Sequence, residues 1–172
     1  MPLTPLRRGA AAFVLAATVL TTGVVIASPA TATTSWSDSL VSLINQERAA
    51  HGVGPVQLVS PLNLAASRHT TWMYRYIQLS HWFTQSEPNL GGRATKAGYN
   101  WSALAENLGM SPTGLPTVNT ILNLEREMYA EGPGGGHYDN LMNARYVHVG
   151  VAIVVDQAHH KTWLTVDFGR PM

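Results

Sequence analysis

A carboxylate at the end of a helical apolar stripe is the first residue of this chain with a setting suited to chemistry. Ile121, Leu124 and Met128 recur at helical spacing, and three residues further along the same stripe comes Glu131. The stripe would carry Glu131 to the buried face, where a carboxylate costs several kcal/mol unless it is paired or bound to a metal. The alternative is a helix-end glutamate that simply reaches solvent. Gly132-Pro133-Gly134-Gly135-Gly136 follows, giving a tight turn with room beside the carboxylate. His137, six residues after Glu131, is its local partner. Two further residues are ambiguous alone. His81 sits between Ser80 and Trp82-Phe83, where a histidine is either packed, exposed or a ligand, and Glu106 lies among small residues in Ala105-Glu106-Asn107-Leu108-Gly109.

The chain has no cysteine, so cysteine nucleophiles, thiolate zinc sites and iron–sulfur chemistry are excluded, and any site must use His, Asp, Glu, Ser or Tyr. Neither a Gly-x-Ser-x-Gly elbow nor an HExxH helix is present.

The elements that must hold these residues are legible in part. Leu40, Leu43, Ile44 and Glu47 predict a helix over residues 36–51, stopped by Gly52. Ser60-Pro61 reads as an N-cap followed by proline at the first helical position, with a helix over 60–76 whose core stripe includes His69 as a packing residue. An irregular stretch over 78–90 leads to a short helix at 93–97, and residues 101–110 read as a loop. Thr117 caps a helix up to Glu131. Residues 147–155 and 162–168 read as two strands of a hairpin, with His159 and His160 in the solvated turn and His148 structural. Helices first and a hairpin last make an α+β domain, with helices packed on a small antiparallel sheet.

Ahead of that domain, Arg7-Arg8, an apolar run from Ala10 to Ala27 and then Ala30-Thr31-Ala32 describe a secretory signal peptide over residues 1–32. The rival is a membrane anchor, since the run is nearly long enough to span. Cleavage after Ala32 leaves 140 of the 172 residues: a short segment at 33–39 and one domain at 40–172. Without Arg7 and Arg8, nine basic residues face ten acidic ones, a formal net charge of −1. No Lys/Arg run remains, so nucleic acid is not an expected partner, and no membrane span survives cleavage.

Six short segments in order resemble the CAP superfamily, which includes cysteine-rich secretory proteins, venom allergens and plant pathogenesis-related proteins. They are Leu43-Ile44-Asn45-Gln46-Glu47-Arg48, Ser80-His81, Lys96-Ala97-Gly98-Tyr99, Glu106-Asn107-Leu108, Gly136-His137 and His148-Val149-Gly150-Val151. The resemblance, closest to bacterial secreted members, implies a three-layer α-β-α sandwich and a cleft in which His81, Glu106, Glu131 and His137 converge. Departures occur at Trp82-Phe83-Thr84-Gln85 and at Tyr138, which follows Gly-His where Arg is usual. Two imidazoles and two carboxylates suit a divalent metal, zinc first, with the glutamates as ligands or as groups that orient the rings.

Three functions follow from that implied cleft. A secreted, monomeric module could bind metal and a small apolar ligand, a lipid or a cell-envelope component. A metal-dependent hydrolase could use Glu106 or Glu131 to activate water. A cell-wall interaction protein could use the tetrad only as support. The recognised segments specify a cleft and no complete catalytic apparatus, which favours the binding module.

Overall fold

The computed structural model describes residues 29–82, 87–112 and 117–172, with the side chains of the first helix described from Trp36 onward. The leader expected at 1–32 therefore lies almost wholly outside the described residues, as do Phe83, Thr84 and Gln85.

The elements run α1 (Pro29–Ala50), β1 (Gln57–Leu58), α2 (Ser60–Tyr76), α3 (Leu90–Lys96), β2 (Trp101–Ser111), α4 (Val118–Ala130), α5 (Gly136–Leu141), β3 (His148–Asp156) and β4 (Lys161–Pro171). Four strands form one sheet in the order β1-β3-β4-β2. The β3–β4 and β4–β2 pairs are antiparallel, whereas β1 lies parallel to β3. The sheet is thus mixed and carries two strands beyond the expected hairpin.

Alternation along the strands divides the side chains between two helical layers. Val149, Val151 and Ile153 of β3 and Leu164, Val166 and Phe168 of β4 pack with Leu40 and Ile44 of α1, Ile121 and Met128 of α4, and Leu141 of α5. On the opposite face Trp163 and Leu108 meet Met73 of α2, while Leu62 of α2 packs with Ala94 of α3. The result is the three-layer α-β-α sandwich, α+β in class, with both sheet faces covered.

That double cover explains why β2 resembles a loop in the sequence. Ala105 to Gly109 are all buried, so the run shows no polar-out alternation. Other boundaries move by a few residues. Ser60 is the first residue of α2 and Val59 its cap, so Ser60 makes no capping hydrogen bond. Asn89 caps α3 by accepting from the Gly92 backbone, which brings Gly91 and Gly92 inside that helix. Thr117 caps α4 as expected, in a reciprocal box with Thr120.

Candidate functional site

Strand β2 lies at the sheet edge and supplies Glu106. Alternation points Glu106 at the α2/α3 layer and its neighbour Asn107 at the α5 side. One side-chain pair is built on each face of this strand.

The first pair is His81 with Glu106. His81 follows α2, is 58% exposed, and donates from Nδ1 to Glu106 Oε1 at 3.0 Å. Glu106 is almost fully buried, and its other oxygen accepts from the buried guanidinium of Arg93 on α3. Burial alone would raise the Glu106 pKa. The His81 hydrogen bond and the charges of Arg93, His69 and His81 outweigh it and hold the carboxyl below its ordinary value.

Behind this pair lies a buried polar network. His69 is wholly buried; its Nδ1 meets Glu87 Oε2 at 2.9 Å and its Nε2 meets the Ser80 carbonyl at 3.0 Å. This confirms His69 as a hydrogen-bonded packing residue. Asp167 of β4 stands in register beside Glu106 and is fully buried, with no described donor to either oxygen. Burial and the adjacent Glu106 push its pKa well above the carboxyl range.

The second pair is Glu131 with His137. Glu131 caps the C-terminus of α4, and His137 lies in the first turn of α5, a helix the sequence did not announce. Glu131 Oε1 is 2.5 Å from His137 Nδ1, and Oε2 accepts from the His137 backbone at 3.0 Å. The hydrogen bond from the ring is the main reason the Glu131 pKa is lowered. The intervening turn requires glycine twice, since Gly132 and Gly134 have φ of +70° and +92°. Gly135 leaves room for the carboxylate: a Cβ there would lie 2.4 Å from Glu131 Cβ and 2.8 Å from Oε2.

Glu131 is not buried, contrary to the expectation from its stripe. Its side chain is 36% exposed. The carboxylate that the stripe buries is Glu125, one position from Leu124, which is 0% exposed and faces Glu47 of α1. Glu131 escapes because α4 ends at Ala130, and the helix end lets its side chain turn back to His137.

Two asparagines tie the pairs together. Asn107 donates to the His137 carbonyl at 3.1 Å, and Asn140 donates to the Asn107 side chain at 2.9 Å and to the Glu106 carbonyl at 3.4 Å. The pairs thus flank one edge strand and are braced against each other through its backbone. In both pairs Nδ1 faces the carboxylate, and Nε2 carries no hydrogen bond among the described residues. Among those residues no group of three or more His, Asp or Glu is arranged to hold a metal ion.

Residues 41–168 match the family model described as the Cysteine-rich secretory protein family, CAP. The chain belongs to the CAP family. The solved structures it resembles include an outer surface protein of Borrelia burgdorferi, at 15% identity and TM-score 0.66, covering 80% of this chain and 94% of that one. An extracellular SCP-domain protein of Bacillus anthracis gives 18% identity and TM-score 0.65 over 80% of this chain and 41% of that longer one. NaASP2, solved with Zn2+, gives 12% identity and TM-score 0.55 over 82% and 83% of the two chains. Identities this low establish a shared fold. No curated protein sequence matches the chain.

Arg93 and Asp167 are site residues that sequence reasoning missed. A lone Arg in a seven-residue helix gives no signal, and Asp167 occupies a position that strand alternation assigns to solvent.

Proposed function

We propose that this CAP domain is an exported binding module whose two His–Glu pairs take a divalent cation, zinc first, beside an apolar ligand surface. The observation that carries this reading is the shared orientation of the two rings. Each imidazole gives Nδ1 to a carboxylate and keeps Nε2 for a ligand, the arrangement by which carboxylates orient metal-binding histidines. His81 and His137 would hold the ion through Nε2, with water completing the shell, while Glu106 and Glu131 fix the rings. When bound, the metal would supply a Lewis-acidic anchor for a polar group.

Around His81 the apolar side chains Ile77, Leu79 and Trp82 are exposed, Trp82 by 67%. They offer an apolar body of a ligand, lipid or cell-envelope component a place beside the polar pairs. Hydrolysis is less well supported, because neither carboxylate is free to take a proton from water. Glu106 is divided between His81 and Arg93, and Glu131 is bonded twice to His137.

Calorimetry with zinc on the tag-free domain tests the proposal. His81→Ala and His137→Ala should each remove most of the affinity, whereas a His159→Ala/His160→Ala control keeps it. Affinity should also fall on acidification, because protonated imidazole cannot ligate. Equal zinc affinity in wild type and both cleft variants would make the pairs purely structural. Metal-stimulated hydrolysis lost in Glu106→Gln would make the domain an enzyme.

A further inference from the structure

A cavity lies beside the Arg93–Glu106 pair. It has a volume of about 510 Å³ and is lined by Arg68 and Trp72 of α2, Glu87 and Pro88 of the following loop, and Arg93 and Lys96 of α3. That volume is within the range of small-molecule sites, roughly 300–1,000 Å³, and far exceeds what a simple oxyanion fills.

Its charge is one-sided. Three of the six lining residues are cationic and one is acidic; Arg93 is compensated by Glu106, so the excess rests on Arg68 and Lys96. Glu87 is already committed, bonded to His69 at 2.9 Å and lying 3.8 Å from Arg93 Nε. Arg93 is 1% exposed, and its Nε is buried without a hydrogen-bond partner. Arg68 and Lys96, one on each helix, are exposed, and neither appears in an ion pair among the described residues. Trp72, one turn from Arg68 on α2 and stacked on Tyr76 at 4.0 Å between centroids, and Pro88 supply the apolar part of the lining. Like charges gathered at a concave wall raise the local potential and draw in an anion.

We propose that the cavity between α2 and α3 is a second binding site, for an anionic group carried on an apolar body. The anion sits between Arg68 and Lys96, and the body lies against Trp72 and Pro88. Guanidinium and ammonium together suit a carboxylate, sulfonate or phosphate. The site is distinct from the His–Glu pairs, with Arg93 as the wall between them.

Naphthalene-2-sulfonate is the probe, titrated into the full domain by calorimetry. One ligand per chain is expected, with affinity that falls as salt rises. Arg68→Ala/Lys96→Ala should weaken binding by at least about tenfold, the scale of losing charge-assisted contacts. Both positions are exposed, so an unchanged melting curve should accompany that loss. His81→Ala/His137→Ala should bind the sulfonate normally while losing zinc, which separates this site from the metal proposal. Displacement by dihexanoyl phosphatidylglycerol would assign the anion to a lipid headgroup, and displacement by indole-3-acetate would assign it to a soluble acid. The site is overturned if the double variant binds the sulfonate as tightly as wild type. It is overturned equally if naphthylmethylammonium binds as well as the sulfonate, or if inorganic phosphate matches the sulfonate and leaves the apolar wall without a role.

Discussion

Glu106 is the residue on which the buried side of the site depends. It compensates Arg93 inside the protein, orients His81 at the surface, and sits beside the acid Asp167. Removing one partner of a buried ion pair strands the other charge, which costs about 3–5 kcal/mol. Glu106→Gln should therefore lower stability by about that much in urea titrations, beyond any effect on ligand binding. Its lowered pKa fixes the pH dependence. A carboxyl whose folded pKa is depressed contributes stability above its unfolded value, and that contribution is lost as pH falls through the folded value. Acid sensitivity below the ordinary carboxyl pKa should thus diminish in Glu106→Gln. Glu131 contrasts with it, because its exposed pairing with His137 adds little to stability. Gly135→Ala is the more telling change there. The added methyl would meet Glu131 Cβ and Oε2 and push the carboxylate off His137. Zinc affinity should fall, and the melting temperature with it, because the Glu131 Cβ moves only with its backbone; unchanged zinc affinity would show that Glu131 does not orient the ring.

At the scale of elements, the contact between α1 and α4 holds an acid pair of opposite pH sign. Burial raises the Glu47 pKa to about 7, although the neighbouring Glu125 and the charge of Arg126 pull it downward. Glu125, with both oxygens buried, is pushed well above the carboxyl range by burial and by Glu47. A raised folded pKa means that the native state binds the proton more tightly, so this stability is complete at acid pH. It declines as pH rises from the ordinary carboxyl value of about 4.5 toward 7. Glu125→Gln removes the second buried acid and leaves Glu47 to titrate, so it should lessen that decline and raise the melting temperature at pH 8; a slope as steep as wild type would refute the pairing. The α2 contact with β3 is steric instead. A Cβ on Gly150 would lie 2.1 Å from the Leu62 carbonyl carbon, and backbone cannot yield as a side chain can. Gly150→Ala should cost about 1–3 kcal/mol, the usual range for overpacking. Helices α1, α2 and α4 were readable because each shows one apolar stripe and a definite stop, whereas the six-residue α5 shows neither. Strand β2 was not, since burial on both faces erases the period of two that distinguishes a strand from a loop. Glu131 was misplaced for a related reason: a stripe predicts burial only while the helix continues, and α4 stops one residue short of it.

Over the whole molecule, both faces of the sheet are closed by helices, and the chain holds together without any cysteine. Polar cross-links add to the apolar core. The guanidinium of Arg48, 1% exposed, donates from α1 to the carbonyls of Gly54, Leu141 and Tyr146, joining the first helix to the segment that leads into β3. The Glu47-Arg48 step of the sequence thus contributes one residue to the α1–α4 contact and the other to this cross-link. No described helix is long and apolar enough to cross a membrane. The apolar run at Ala10 to Ala27 lies outside the described residues, and its role rests on the basic start and the Ala30-Thr31-Ala32 step. The packing adds a test of that role. Among the described side chains of α1, Trp36 is the first to reach the core cluster, followed by the wholly buried Leu40. Cleavage after Ala32 would shorten α1 at its start and keep every core residue among the described ones. N-terminal sequencing of protein recovered from culture medium should therefore begin near Thr33, and a chain starting at Thr33 should melt at the same temperature as the longer one. Intact Met1 on membrane-bound protein would instead make the run an anchor, with the domain held at the cell surface.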